Sequence, residues 1–486
     1  MIGFSQLFAL ILAVFALALL GPAAVGAMHG EIEAAWWFLI IAACVGFAAG
    51  GAFFAFQGRR RRSGRMGSYL FAIAVWCIPS VIGALPLMQV AGLDPFSAVF
   101  ESTSGYTTTG ATVFGQLAPV DRAVIFWRAE LQWLGGLATL VLISTVLAPG
   151  GIGGLPARHI GLLDPVAPGG DYRLYSVFRD IATAYGAMTA ACLLLLLIVG
   201  IPAFDAFCLA FSTVSTGGFM PRDGNLAVYR NAAAEIVLMV FMLAGATSVL
   251  WHRMLVARRW QLLAEHRESY WVIGVAVVVG IVYAAAYYRA AGYFASLAPV
   301  ATFREGLLAG ISLVTTTGYE AGGVRLSLLP LTVVLLLALA GGGSFSTAGG
   351  LKYYRIGGML VQARHELRRL IYPHGVRSTR FGSQPYDMPM MRAIWGHLFL
   401  SLLVVALASL IVSVSGSNFI GALSSAVASF ANIGPLHGSG WGAEGPWPLY
   451  SAMPGPVKLA LAVTMVLGRL EVVALLAALN AAFWRS

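Results

Sequence analysis

Tyr106-Thr107-Thr108-Thr109-Gly110-Ala111 is one of four short segments that read as variants of a single motif. The others are Thr213-Val214-Ser215-Thr216-Gly217-Gly218, Val314-Thr315-Thr316-Thr317-Gly318-Tyr319 and Phe430-Ala431-Asn432-Ile433-Gly434-Pro435. Aligned on Gly110, Gly217, Gly318 and Gly434, they lie 107, 101 and 116 residues apart. Each follows a short, half-polar, helix-like stretch and precedes a long apolar one. One Thr-Thr-Thr-Gly alone reads as a polar turn between helices. Four at matching offsets read as a fourfold pore within one polypeptide. Ion selectivity is made by rings of oxygen atoms, and rings need symmetry.

The sequence flanking these segments is membrane-like. Of 486 residues, 59% are hydrophobic and 10% charged, against about 25% charged in ordinary soluble domains. Apolar runs long enough to cross a bilayer recur. Candidate spans fall at 4–26, 35–56, 68–90, 122–149, 175–200, 230–253, 270–291, 327–360, 390–416 and 457–484. The first resembles a signal peptide at Ala23-Ala24-Val25-Gly26-Ala27 but lacks a positive leading region, and a second span follows closely. The reading is a retained hairpin over 4–56. Cys44, Cys77, Cys192 and Cys208 show neither metal spacing nor a disulfide framework and read as inert membrane thiols.

The net charge of +10 raises a nucleic-acid reading of the Arg59–Arg62 run. The distribution argues against nucleic acid. Most basic residues fall in alternate connections: Arg59 to Arg65, Arg158 to Arg179, Arg253 to Arg267, Lys352 to Arg392, and the terminal Arg485. Positive connections stay cytosolic during insertion. This predicts both termini in the cytosol and the four motif segments opening to the other side.

Beyond the hairpin, each repeat reads as helix, short re-entrant helix, extended segment, helix. Start signals are Asp94-Pro95, Asp205 before Ala206-Phe207-Cys208, the capping-box spacing Thr302 to Glu305, and Ser417-Asn418. A short helix that ends at mid-membrane aims its negative carbonyl end at the pore axis, which favours a cation. Irregular backbone at that depth requires a water-filled cavity or burial in protein. Aligned on the glycines, one layer holds Gly110, Gly217, Gly318 and Gly434. Thr109, Thr216, Thr317 and Ile433 lie one position earlier, and Thr108, Ser215, Thr316 and Asn432 two positions earlier. Of the nearby carboxylates, Glu101 and Glu305 read as braces and Glu320 as an outer-mouth charge.

The span at 327–360 is interrupted by Gly341-Gly342-Gly343-Ser344-Phe345-Ser346-Thr347-Ala348-Gly349-Gly350. So many glycines disfavour a continuous helix at about 1 kcal/mol each. A packing hinge is the plain alternative, and a phosphate loop fails for want of Walker spacing. Arg469 is a basic residue deep in the last span. It needs a cavity or a partner there, and Glu471 and Glu130 are the ion-pair candidates.

The four segments, the glycine-rich interruption and Gly468-Arg469-Leu470-Glu471 together resemble the Trk/Ktr/HKT superfamily of potassium transporters, over roughly Gly67 to the C-terminus. The leading hairpin favours a Trk-type pore-forming subunit. The resemblance implies an all-α polytopic membrane protein, with a hairpin at 1–66 and pore repeats at 67–157, 158–268, 269–388 and 389–486. It implies potassium uptake across the bacterial cytoplasmic (inner) membrane, with K+ as transported ion at the filter and no cofactor in this chain. Gly110 in the first filter goes with potassium rather than sodium preference. The glycine-rich loop (Gly341, Gly342, Gly343, Ser344, Thr347, Gly349, Gly350) with Arg469 is then the gate beneath the filter. A homodimer and a cytosolic nucleotide-binding regulatory subunit are implied partners, besides the lipid bilayer. Rival readings are a sodium- or proton-coupled potassium symporter, a membrane-embedded hydrolase and a non-conducting scaffold. His365-Glu366-Leu367-Arg368-Arg369 lacks the second histidine of a zinc helix.

Overall fold

A computed structural model describes residues 4–56, 65–147, 170–256, 258, 260, 267–291, 299–372, 380–381, 384–438 and 447–470. Arg59–Arg62, Arg158, Arg259, Arg377, Arg485 and Glu471 lie outside them. The molecule is an all-α polytopic membrane protein. Among the described residues six helices are long and apolar enough to cross a membrane: Phe8–His29, Ile32–Ala55, Tyr69–Gln89, Val177–Ile198, Arg267–Ala290 and Met388–Val414. Among the described residues the paired β structure is a two-residue hairpin, β1 (Arg380–Phe381) with β2 (Gln384–Pro385), and an isolated bridge between Ala321 and Val324.

The leading hairpin comprises α1 (Phe4–Ala18), α2 (Leu20–His29) and α3 (Ile32–Ala55). Grouped by the four repeats expected from the sequence, repeat 1 comprises α4 (Arg65–Gln89), the short α5 (Pro95–Tyr106) and α6 (Arg122–Leu142). Repeat 2 is α7 (Gly170–Ile198), the short α8 (Ala203–Val214), α9 (Ala232–Ala246) and α10 (Val249–Val256). Repeat 3 is α11 (Arg267–Ala291), α12 (Pro299–Val314), α13 (Leu331–Ala340) and α14 (Tyr353–Ile371). Repeat 4 is α15 (Met388–Val414), the short α16 (Phe419–Phe430), the single turn α17 (Pro435–Gly438) and α18 (Gly455–Leu470).

The helices closing the first three repeats depart from the expected uninterrupted spans. Arg128, Glu130 and Gln132 make α6 polar, and it ends in a π turn at Ile143–Leu147. The span expected at 230–253 breaks at Thr247-Ser248, between α9 and α10. The span expected at 327–360 splits into α13 and α14 around the glycine run.

The start signals hold in part. Asp94 caps α5 by accepting from the Phe96 and Ser97 N–H groups, and Asn418 caps α16 through Gly421. Asp205 is not a cap: Pro202 stands at the N-cap of α8, and Asp205 turns to the Arg222 guanidinium at 2.6 Å. The Thr302–Glu305 capping box does not form, because α12 starts at Pro299. Glycines let α12 press against α11: a Cβ on Gly310 would collide with the Gly280 backbone, and one on Gly306 with Ala284. Small residues at such crossings replace the hydrophobic drive that lipid removes.

The hairpin seats on repeat 1 through an aromatic cluster. Phe15 and Phe38 meet Trp127 edge-on at 5.3 and 6.0 Å, and Trp76 meets Tyr106 at 5.3 Å. Each pair adds about 0.5–1.5 kcal/mol beyond burial. The Glu31 carboxylate accepts from the Arg122 and Ala123 N–H groups. It thus caps α6, which its own N-cap residue Asp121 leaves uncapped. Cys192 and Cys208 are buried, whereas Cys44 and Cys77 are exposed rather than in the core.

Candidate functional site

At the end of each short helix the chain leaves in one repeated conformation. Thr108, Thr216, Thr316 and Asn432 take φ of 52°, 54°, 59° and 54°, a left-handed region costly for residues with a Cβ. Two positions on, Gly110, Gly218 and Gly318 take φ of 77°, 81° and 83°. The hydrogen bonds agree. Thr109, Gly217, Thr317 and Ile433 each donate their N–H five residues back, to the carbonyls of Ser104, Ser212, Ser312 and Ala428.

This corrects the expected layers in repeat 2 by one residue. Gly218, not Gly217, matches Gly110, Gly318 and Gly434. Thr216 matches Thr108, Thr316 and Asn432, and Ser215 matches Thr107. The reason is steric. The Gln132 side chain occupies the space that a Cβ on Gly217 would need, so glycine stands where the other repeats carry Thr109, Thr317 and Ile433.

The four segments close a ring. A Cβ on Gly110 would collide with the Gly217 carbonyl oxygen, one on Gly218 with the Thr317 oxygen, one on Gly318 with Pro435 and one on Gly434 with the Ala111 backbone. The order is therefore 1, 2, 3, 4 and back to 1. The Gly434 N–H also donates to the Thr109 carbonyl at 2.6 Å. Among the described residues no hydrogen bond is donated to the carbonyls of Thr108, Gly110, Thr216, Gly217, Gly218, Thr316, Thr317 or Gly318. Buried carbonyls are ordinarily paired. The fourth segment departs from the symmetry: the Ile433 and Gly434 carbonyls accept from Leu436 and His437, and the Asn432 amide donates to Thr109 Oγ1 at 2.9 Å.

Braces differ behind each segment. Glu101 accepts from the Val113 N–H, Thr112 Oγ1 and Arg128 Nε at 2.7, 3.0 and 2.8 Å, so it braces the exit of segment 1. Arg128 lies 4.1 Å from the Phe219 ring centre, just past segment 2. Gln132 Oε1 accepts from Ser212 and from the Phe219 N–H. Beyond segment 3, Glu305 accepts from Gly323 at 3.3 Å. Glu320 accepts from the Leu326 N–H at 2.9 Å, a bracing contact where a free mouth charge was expected. Tyr450 donates to the Gly434 carbonyl at 3.3 Å. Sequence reasoning missed Arg128, Gln132 and Tyr450. For the first two a signal existed: polar residues one helical turn apart inside an apolar span.

The glycine run, with Arg469, reaches all four segments. The Thr347 hydroxyl lies 3.2 Å from the Val214 carbonyl and 3.3 Å from Thr216 Oγ1. Gly349 donates to Thr316 Oγ1 at 2.8 Å, and a Cβ there would collide with the Ala431 carbonyl. Arg469 supplies the contact with segment 1. Its Nε donates to the Thr107 carbonyl at 2.7 Å and its Nη2 to Thr108 Oγ1, while Nη1 reaches the Thr347 and Ala348 carbonyls at 2.6 and 3.1 Å. Its partners are thus oxygens of segment 1 and of the glycine run, and the ion pair with Glu130 does not form. Lys352 Nζ donates to the Ala348 carbonyl. Gly341, Gly342, Gly343, Ser344, Thr347 and Gly349 are buried, and Gly350 is half-buried. Among the described residues no group of His, Cys, Asp and Glu is arranged to hold a metal ion.

Comparison with known proteins gives a consistent result. The family described as "TrkH: Cation transport protein" matches residues 38–485. The Trk system potassium uptake protein TrkH of Salmonella typhimurium (strain LT2) is 30% identical, covering 88% of each chain. The TrkH of Halomonas elongata is 29% identical over 99% of this chain and 98% of its own. The crystal structure of the potassium transporter TrkH from Vibrio parahaemolyticus superimposes with a TM-score of 0.84, at 26% identity over 99% of each chain.

Proposed function

Because the chain belongs to the TrkH family of cation transport proteins, we propose that it is the pore-forming subunit of a potassium uptake system. It is a transport protein rather than an enzyme, and the hydrolase reading is dropped. The observation that carries the proposal is the closed cyclic order of the four glycine-ended segments. Left-handed residues alternating with right-handed or extended ones turn successive carbonyls to one side. A ring of such carbonyls replaces the water shell of K+ without presenting full negative charges. In repeats 1, 2 and 3 the carbonyls lacking protein donors are ones this arrangement needs; the Thr109 carbonyl alone differs, accepting from the Gly434 N–H. The filter proposed here comprises Thr108, Thr109 and Gly110; Thr216, Gly217 and Gly218, with Ser215 behind; Thr316, Thr317 and Gly318; and Asn432, Ile433 and Gly434.

The loop Gly341–Gly350 with Arg469 is proposed as the gate. Together they touch every filter segment, and Arg469 brings a positive charge to the path of a cation. The division into a hairpin at 1–66 and repeats at 67–157, 158–268, 269–388 and 389–486 follows the helix order. Placement in the bacterial inner membrane with cytosolic termini rests on the arginine distribution and the family. A homodimer and a cytosolic nucleotide-binding partner rest on the family alone.

The test is rubidium flux into liposomes carrying the purified protein, competed by potassium and by sodium. Competition by potassium but not sodium is expected. Absence of flux from folded, correctly inserted protein overturns the proposal. In asymmetric potassium and sodium, a reversal potential that follows potassium alone marks a pore. One that shifts with sodium or protons marks a coupled symporter.

A further inference from the structure

Glu268 opens α11 and is 6% exposed. One of its oxygens, Oε1, accepts two backbone N–H groups, from Ser344 at 2.7 Å and from Tyr354 at 2.9 Å. Ser344 sits within the glycine run. Tyr354 lies in the first turn of α14, where backbone N–H groups have no intrahelical acceptor. The N-cap residue of α14, Lys352, supplies no side-chain cap and is itself held at φ 77°. Glu268 therefore caps α14 from another helix and with the same oxygen ties that end to the middle of the loop. A carboxylate at a helix N-terminus is favoured by the helix dipole, and charge-assisted bonds are stronger than neutral ones.

Tyr354 is gripped from a second side. The Tyr386 hydroxyl donates to the Tyr354 carbonyl at 2.8 Å, and the two rings lie 5.1 Å apart. A Cβ on Gly358 would crowd the Tyr386 ring, so the contact extends one turn along α14. Tyr386 follows β2 and precedes α15, on the arginine-bearing connection. The loop's α14 end is thus fixed by one carboxylate and one phenol from two different elements.

We propose that Glu268 is a positioning residue that latches the glycine-rich loop against the filter, and that Tyr386 links this latch to the connection between α14 and α15. The inference rests on the gate assignment above. Any movement of Ser344 away from the filter, or any rewinding of the first turn of α14, must break bonds to Glu268. Displacing the Tyr386 connection would loosen the same peptide.

The experiment measures basal rubidium flux and potassium–sodium competition in liposomes for the full-length parent, Glu268→Ala, Glu268→Gln, Tyr386→Phe and a variant lacking Gly342 and Gly343. Bonds to a charged group shift such equilibria on the order of tenfold or more, so Glu268→Ala should raise flux by about tenfold with unchanged ion preference. Glu268→Gln keeps an accepting oxygen and should rise less, as should Tyr386→Phe. A Ser344→Cys reporter, with Cys44 and Cys77 replaced, should react faster with a thiol reagent when combined with Glu268→Ala. If the deletion variant conducts no faster than the parent, the gate assignment fails. If it does conduct faster, but folded Glu268→Ala matches the parent in flux and in the reactivity of the reporter thiol, the latch is overturned. Should Glu268→Ala not fold, parent-like flux and reporter reactivity in the near-isosteric Glu268→Gln overturn it equally.

Discussion

The Gln132 side chain fills the space beside Gly217 that any larger residue there would need. Its Oε1 also accepts from Ser212 and Phe219, so one amide sets both the register and the exit of segment 2. Gly217→Ala should therefore lower flux, with partial recovery in Gly217→Ala/Gln132→Ala. Gly218→Ala should not recover, because its Cβ would meet the Thr317 backbone at φ 81°. Equal rescue of both by Gln132→Ala would return Gly217 to the layer of Gly110.

The buried pair Arg128–Glu101, 2.8 Å apart with side chains 3% and 0% exposed, makes a stability prediction. Removing one partner strands a charge, at a cost of about 3–5 kcal/mol. Arg128→Met and Glu101→Gln should each lower the melting temperature in detergent. The double variant should lose less than the sum of the two. Arg128 also stacks on Phe219, so the arginine variant should be the worse for potassium–sodium discrimination. Additive losses in melting temperature refute the pair.

Much of this is legible locally. The four segments, the short helices before them and the broken span at Gly341–Gly350 are written in contiguous residues. The register in repeat 2 is ambiguous in sequence, because Thr216-Gly217-Gly218 offers two glycines. The serines at 104, 212 and 312, each six residues before Gly110, Gly218 and Gly318, resolve it. Asp205 has the residue type of a cap, yet its partner Arg222 is brought by tertiary packing. Gln132 meets Ser212 from 80 positions away, a distance at which no period or spacing speaks. Glu320 looks free in sequence because its acceptor role depends on how the chain turns back at Leu326.

Arg469 joins segment 1 to the glycine run through four oxygens, those of Thr107, Thr108, Thr347 and Ala348. Arg469→Ala should raise basal rubidium flux, by removing both a fixed positive charge and a tether. Arg469→Lys keeps the charge but cannot span the same fork, so it should fall between parent and alanine. Combined with deletion of Gly342 and Gly343, Arg469→Ala should add less than its separate effect. If the folded alanine variant conducts like the parent, the arginine is structural.

His437 lies in α17, in the connection between α16 and α18 rather than in a membrane-crossing helix, and it is buried beside the fourth segment. Its Nε2 donates to the Pro448 carbonyl at 3.1 Å and its Nδ1 lies 2.9 Å from Ser424 Oγ. Its ring lies 4.8 Å from that of Tyr450, whose hydroxyl holds the Gly434 carbonyl. Burial pushes the imidazole below its ordinary 6.5, partly offset by the bond to Pro448. Between the lowered folded value and 6.5 the unfolded chain binds more protons than the folded one, so stability rises with pH across that window. The contribution is fully present above 6.5 and is lost as pH falls through the folded value. Melting temperature and rubidium flux should both decline on acidification below 6.5, as the charged ring loosens the packing that supports Gly434. His437→Gln removes the titration, so both profiles should flatten over that range even if flux at neutral pH is reduced. Profiles with the same slope in parent and variant would assign the acid sensitivity to another group.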